Sequence, residues 1–248
     1  MQSKDLYFEQ RKFLKALLKD MEKLEQKHDS FYSNYQQILK SQFVLMLYTT
    51  IESVVMQSIQ DIFDIIKQEK RHFYDLTNNI KQIYFKAKIN NKERNFNQIV
   101  KDGRFLSLLD EFKRTNSIVE IIIKQDFEQE NPFKVGSLDC KNIKEYIFGA
   151  LEIEDNITAN LKKWNHILKQ DIASCIQNDI KVSRNILAHG EISFNNFGKD
   201  KSIKDLKKYY ISVNIFLFYY IKSIQLYVSE KNYLLRRYDE SIKSNYAR

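Results

Sequence analysis

Residues 43–66 decide the fold of this chain and read FVLMLYTTIESVVMQSIQDIFDII. Apolar residues recur here at intervals of three and four, the spacing that places side chains on one face of an α-helix. The stripe consists of Val44, Leu47, Ile51, Val55, Ile59, Ile62 and Ile66. Because further apolar residues flank it at 43–48, we expect one long central helix, buried on more than one side, from Ser30 or Ser33 to about Glu69.

The composition agrees with a helical fold and argues against a β-sheet fold. The 248 residues include only five glycines and one proline, so the chain has few of the residues that strands need at their turns. With 43% hydrophobic and 13% aromatic residues, the chain can bury a sizeable core. We therefore predict an all-α protein. Because there is no internal repeat or low-complexity linker, we expect one domain over residues 1–248, built as a helical bundle.

Further helices are predicted on both sides of the central one. An amphipathic N-terminal helix is expected over residues 4–28, with an apolar stripe made of Phe13, Leu17, Met21 and Leu24. Later helices are expected from Asp139 to Gly149, over 157–168, over 171–189, and after the capping pattern Ser202-x-x-Asp205. The last of these has a near-heptad stripe of Leu206, Tyr210, Val213, Leu217, Tyr220, Ile224 and Tyr227.

Residues 70–135 are polar, rich in asparagine and only weakly periodic, and we interpret them as an elaboration on the bundle. Within them, the segment SIVEIIIKQ at 117–125 opens with a capping-box pattern, Ser117-x-x-Glu120. Its run of isoleucines fits a short strand equally well, so the sequence leaves both structures open.

The charge balance favours a polyanionic partner without identifying one. Lys and Arg number 40 against 32 acidic residues, a net charge of +8, and this composition suits nucleic acid as well as ordinary solvated helix faces. Cys140 and Cys175 are too few for a disulfide framework. The N-terminus lacks the apolar core of a signal peptide, and the longest apolar run is short for a membrane span and contains Glu52. We expect a soluble cytoplasmic protein with no membrane partner.

The stretch KVSRNILAHGEISF, residues 181–194, differs from the rest of the chain because it brings together residues suited to chemistry. Gly190 fits the position just after a helix end, so His189 would be the last helical residue. Asn185 lies four positions earlier on the same face, where its amide can orient the imidazole. Arg184 lies five positions earlier, about 140° around the helix, so it can meet His189 only by its reach, by fraying, or across an interface.

An arginine and a histidine together suit the cleavage of a phosphodiester by its own 2′-hydroxyl group. Histidine exchanges a proton near neutral pH, and the guanidinium of arginine matches phosphate oxygens and stabilises charge on a phosphorane. The four histidines show no familiar metal-ligand spacing, and we expect no metal and no cofactor. On these residues alone, a histidine that complements the helix dipole beside a solvated Arg184 explains the pattern as well.

The segment RNILAHG resembles the Arg-x4-His signature of the HEPN superfamily, in which a polar residue follows the arginine. The resemblance extends to ILKSQFVLMLYTTIESVV, GSLDCKNIKEY and HGEISFNNFGKDKSIKDL, which are similar, in this order, to segments of one bacterial subgroup of HEPN-like nucleases. It implies a bundle of four or five core helices that forms a homodimer, with the Arg184 and His189 helices of both copies facing a shared cleft.

The resemblance also implies an activity: metal-independent endoribonuclease cleavage that leaves a 2′,3′-cyclic phosphate and a 5′-hydroxyl. Many such proteins are toxins of toxin–antitoxin or phage-defence systems, so an RNA substrate and a neutralising antitoxin or other defence partner are expected. The catalytic candidates are Arg184, His189 and Asn185. Glu191 stands where some HEPN toxins have a tyrosine that is modified with nucleotides, so regulation of that kind is not expected. The alternative function is a non-catalytic HEPN-like module that binds RNA or a partner protein.

Two further residues have functional and structural interpretations that the sequence leaves open. Glu52 shares a helix face with Tyr48, Met56 and Ile59, and it either orients Arg184 or His189 or lies at the edge of the bundle. Ser183 is expected to be exposed.

Overall fold

The structure is a computed structural model that describes residues 1–26, 30–71, 75–83 and 138–235. All the regular elements in these ranges are helical, which confirms the predicted all-α class. They are α1 (Gln2–Glu25), α2 (Ser30–Gln68), a short segment at 78–83, α3 (Cys140–Leu151), α4 (Asn156–Leu168), α5 (Ile172–Ala188), α6 (Phe194–Lys199) and α7 (Ile203–Ser229). Both α3 and α5 contain a π-helical segment, Ile143–Phe148 and Cys175–Lys181 respectively. Most of the predicted elaboration, with its capping-box pattern at 117–120, lies outside the described residues.

Helix α2 is the central element, as the apolar spacing predicts. All seven residues of its predicted stripe are fully buried, and so are Phe43, Tyr48, Val54 and Phe63. Helices α1, α5, α6 and α7 all pack directly against it. The helix therefore buries several sides. It begins at Ser30, the first of the two predicted starts, and ends one residue before the predicted Glu69.

Helix α1 is where predicted but buries a different face. Its buried residues are Ser3, Tyr7, Leu14, Leu18 and Met21, whereas Phe13 is 52% exposed and Leu17 and Leu24 are half-buried. The predicted stripe is therefore wrong except at Met21. The start of α1 has no side-chain cap of its own, and Asp61 of α2 accepts hydrogen bonds from the Ser3 backbone N–H at 2.9 Å and hydroxyl at 2.6 Å. This contact satisfies one of the free N–H groups of the helix end.

Helix α7 follows the predicted stripe closely. Ser202 and Asp205 form the predicted capping box at its start, and six of the seven stripe residues are buried, with Tyr210 half-buried. Tyr220 lies in the centre of the core, where its hydroxyl is hydrogen-bonded to Ser58 of α2 at 2.6 Å. The two longest helices are therefore joined by a polar contact inside an apolar interface.

Both α2 and α7 are long and apolar enough to cross a membrane, judged by length and composition alone. About half of the relevant window of each helix, 56% and 50%, is buried inside the bundle. Core helices commonly share these properties, so they are weak evidence for a membrane span. The location of the protein stays a prediction.

The short helix α6 was not predicted from the sequence, and a glycine explains its position. At Gly198, an added Cβ atom would lie 1.8 Å from the backbone carbonyl oxygen of Gln37 in α2. Only a residue without a side chain allows the two backbones to approach this closely. The hydroxyl of Ser41 donates a hydrogen bond to the Phe194 carbonyl, which fixes the first turn of α6 on the same helix.

We predict that Gly198→Ala destabilises the protein, because α6 has to move away from α2 to accommodate the methyl group. The expected loss is about 1–3 kcal/mol, measured as a lower midpoint of thermal or urea denaturation. Gly149→Ala is the matched control. Gly149 is helical, its added Cβ would meet only ordinary contacts, and alanine is the better helix former. Equal stability of Gly198→Ala and the wild type would contradict this account of α6.

Candidate active site

Helix α5 presents the Arg-Asn-His residues at its C-terminal end. Val182–Ala188 is its last α-helical part, and His189 is the cap residue, one position beyond the last helical one. Gly190 has a φ of +69°, its N–H bonds the Leu187 carbonyl, and the Glu191 N–H bonds the Ile186 carbonyl. This pattern is a Schellman motif, so the predicted role of the glycine is confirmed.

Arg184 is directed at helix α2. Its guanidinium lies 5.0 Å from the centre of the Tyr48 ring, and its Nη2 atom lies 3.9 Å from the nearer carboxylate oxygen of Glu52. Its Nη1 atom donates a hydrogen bond to the Asn185 side-chain oxygen at 3.2 Å. The arginine side chain is 33% exposed, so its three neighbours leave about a third of it open to solvent.

The three predicted catalytic residues are only partly brought together. Asn185 bonds Arg184 rather than the imidazole, so the expected orientation of His189 by this amide is not seen. His189 is exposed, and no hydrogen bond links its side chain to any residue in the described part of the chain. Ser183 is 5% exposed, so the expectation that it faces solvent is wrong. It belongs to the buried face of α5 together with Leu187.

Glu52 is a half-buried carboxylate whose charge is incompletely balanced. Burial raises its pKa, while Arg184 and the Tyr48 hydroxyl act in the opposite direction without cancelling the rise. Burial and the nearby Glu52 charge raise the pKa of Tyr48 to about 12, so this tyrosine remains a neutral hydroxyl at cellular pH. Ionisable groups with shifted pKa values cluster at functional sites.

A third segment meets α2 and α5 at the same place. The Leu138 backbone N–H donates a hydrogen bond to the Tyr48 hydroxyl at 3.0 Å. The next residue, Asp139, is buried, caps the start of α3 through the Asn142 N–H, and pairs with Lys181 of α5 at 2.6 Å. Lys181 lies one turn before Arg184. These contacts explain why separate segments of the sequence are needed to build one site.

Tyr48 and Lys181 are the site residues that sequence reasoning did not select. The signals for Tyr48 are its position four residues before Glu52, on the same helix face, and its place in the segment that resembles HEPN-like nucleases. Lys181 has no local signal, because its partner Asp139 is distant in sequence. No group of three or more His, Cys, Asp or Glu side chains that could hold a metal ion occurs in the described ranges.

We predict that Glu52→Gln stabilises the folded protein at neutral pH. Because the folded-state pKa of Glu52 is raised, the ionised carboxylate costs stability at pH values above it, and glutamine mimics the protonated form. The gain in the thermal midpoint should shrink as the pH falls towards the ordinary pKa of glutamate. Glu9→Gln, at an exposed position of α1, is the control and should leave the midpoint unchanged. A lower midpoint for Glu52→Gln at neutral pH would refute the assignment of an uncompensated charge.

Comparison with known proteins identifies the family. The family model described as MAE_28990-like HEPN matches residues 9–233, which include every site residue described above. Neither curated proteins nor solved structures gave a significant match. HEPN domains are often ribonucleases, which connects the family to RNA-related functions. Since the match covers most of the sequence, this chain is a member of the MAE_28990-like HEPN family.

Proposed function

We propose that the protein is a metal-independent endoribonuclease of a toxin–antitoxin or phage-defence system. The observation that supports this most directly is the state of Arg184. A cation is held at the surface by a tyrosine ring, an amide and a carboxylate, five residues before an exposed histidine at a helix end. A preorganised cation and an unengaged imidazole in the same short segment suit phosphodiester chemistry.

In the proposed reaction, His189 accepts the proton of the ribose 2′-hydroxyl, and the 2′-oxygen attacks the adjacent phosphorus. Arg184 stabilises the negative charge that develops on the phosphorane oxygens. The bond from phosphorus to the 5′-oxygen breaks, and this oxygen receives a proton from the imidazolium form of His189. The products are a 2′,3′-cyclic phosphate and a 5′-hydroxyl.

The proposal includes a homodimer. Within one chain Arg184 faces α2, whereas the His189 side chain is exposed and makes no hydrogen bond to Arg184. Val182 is 45% exposed and Ile186 half-buried, and both share the outer face of α5 with His189. Helix α2 also has an exposed apolar face near its start, where Phe31, Tyr35 and Ile38 are 69%, 47% and 38% exposed. A second copy that covers apolar surface beside the motif would bring its own histidine to Arg184.

The alternative is a non-catalytic HEPN-like module that binds RNA or a partner protein. The observation in its favour is the pairing of Arg184 with Glu52, whose negative charge neutralises part of the charge that a phosphate would otherwise meet. In either function, RNA and a neutralising or defence partner are the expected binding partners, and the expected location is the cytoplasm.

We predict that His189→Ala and Arg184→Ala each lower RNA cleavage by on the order of 10²–10⁴-fold, because each removes a group that acts in the transition state. Purified proteins would be incubated with total RNA in excess EDTA, and the product ends tested for the cyclic phosphate. The double variant should be little worse than either single one, since the two residues act as a unit.

His166→Ala is the matched control for these variants, because it removes a histidine from α4, outside the motif, and should cleave like the wild type. Cleavage by the single variants at the wild-type rate would remove Arg184 and His189 from the mechanism. RNA binding without cleavage by the wild type would favour the alternative module.

We predict that mixing the inactive Arg184→Ala and His189→Ala proteins restores activity. If each site combines Arg184 of one copy with His189 of the other, a mixed dimer keeps one intact site. Statistical exchange of subunits then gives about a quarter of the wild-type rate. Light scattering at micromolar concentration should show a dimer. A monomer, or a mixture as inactive as its components, would contradict the shared site.

A further inference from the structure

Three groups of different chemical character surround the guanidinium of Arg184. The Tyr48 ring, 5.0 Å away, supplies a π face, the Glu52 carboxylate at 3.9 Å supplies a negative charge, and the Asn185 amide accepts a hydrogen bond at 3.2 Å. An aromatic ring holds a guanidinium above its face, and a carboxylate attracts the charged end of the side chain towards itself. Together they restrict a side chain that otherwise has many rotamers.

The arginine nevertheless keeps donors for a substrate. A guanidinium has five N–H donors, and only one of them makes a hydrogen bond to another side chain within the described ranges. The distance of 3.9 Å to Glu52 is beyond hydrogen-bond range, so this carboxylate attracts the cation without consuming its donors. A phosphate can therefore bind Arg184 while Tyr48 and Glu52 remain in place.

Tyr48 is more deeply buried than the two charged residues beside it, Arg184 and Glu52. It is 1% exposed, its hydroxyl accepts the Leu138 N–H at 3.0 Å, and the same hydroxyl lowers the pKa of the neighbouring Glu52. Because the pKa of Tyr48 is raised to about 12, the hydroxyl remains a donor throughout the working pH range. One buried side chain thus contacts both the backbone of a third segment and the cation.

We propose that Tyr48 is a positioning residue for Arg184, with its ring setting the place of the guanidinium and its hydroxyl fixing that ring through the Leu138 N–H. The inference rests on the proposed function, in which Arg184 stabilises the phosphorane. Tyr48 itself does not touch the RNA. Its effect reaches the reaction only through Arg184, and this property separates it from a core residue.

Another buried tyrosine of the bundle shows what purely structural packing looks like. The hydroxyl of Tyr220 bonds Ser58, and its ring stacks on Phe148 and Phe216, all of them uncharged neighbours. Tyr220→Phe therefore removes a buried hydroxyl of the same core without affecting Arg184. It is the matched control for Tyr48→Phe.

We predict that Tyr48→Phe, which keeps the ring and loses the hydroxyl, lowers kcat of RNA cleavage by on the order of tenfold. Tyr48→Leu, which also loses the ring, should lower kcat by on the order of 10²-fold, since misplacement of a catalytic group by about 1 Å has an effect of this size. In both variants KM should change little, because the other contacts to RNA remain. Tyr220→Phe should leave kcat unchanged.

A double-mutant cycle distinguishes positioning from general destabilisation. In the Arg184→Ala background, the Tyr48 substitutions should lower the residual rate by less than about twofold, because the group that they position is gone. If the losses multiply instead, Tyr48 acts independently of Arg184 and the proposal is wrong. Should Tyr48→Leu fail to fold, the cycle with Tyr48→Phe gives the same decision.

A measurement without catalysis keeps this proposal separate from the proposed function. The ring current of a tyrosine shifts the NMR signal of the side-chain N–H group of an arginine that lies above the ring. The signal of Arg184 is assigned as the one that disappears in Arg184→Lys. The signal should move towards that of a free arginine in Tyr48→Leu and stay in place in Tyr220→Phe. An unshifted signal in the wild type, or one that Tyr48→Leu leaves unchanged, would overturn the proposal even if RNA is cleaved. A shifted signal that responds to Tyr48→Leu supports it even if no RNA is cleaved.

Discussion

Helix α2 has apolar side chains on most of its circumference, and the need to remove them from water determines where the neighbouring helices lie. Each fully buried Ile, Leu, Val or Phe contributes about 1.5–3 kcal/mol, so no arrangement that leaves this helix solvated can compete. Polar contacts then select how each neighbour lies on it. Asp61 caps the start of α1, Ser58 meets Tyr220 of α7, and Tyr48 and Glu52 meet Arg184 of α5. The candidate site thus lies where α5 packs against one edge of α2.

The sequence alone was sufficient where one strong periodic stripe dominates a segment. The buried faces of α2 and α7 follow from such stripes, the start of α7 follows from its capping pattern, and the turn after His189 follows from a glycine. Helix α1 offers two overlapping stripes, through Phe13 and through Leu14, and local periodicity does not say which one meets α2. Helix α6 has six residues, too few for a periodic signal, and its position depends on the approach of Gly198 to Gln37 in another helix.

Within the site, the sequence likewise indicates what is local and not what depends on packing. Arg184, Asn185 and His189 are recognisable because their residue types and spacing lie in one short segment. Their contacts are not recognisable, because Tyr48, Leu138 and Asp139 come from distant parts of the chain, and only the packed bundle shows that Arg184 turns towards α2. Burial next to them raises the pKa of Glu52, and groups with shifted pKa values cluster where proteins bind or react.

The π-helical segment Cys175–Lys181 lies in α5 just before the residues of the site, and it affects how the site tolerates a change in chain length. A π turn holds more residues than an α turn, and such segments occur frequently at functional sites. A π turn accommodates one extra residue without changing the direction of the helix that follows, so Arg184 keeps the face that meets Tyr48. A single-residue deletion in this segment would convert it to a regular α-helix and leave the arginine beside its neighbours. Relatives can therefore keep the site with one residue fewer between Asp171 and Arg184, and substitutions there are tolerable where they preserve the buried face.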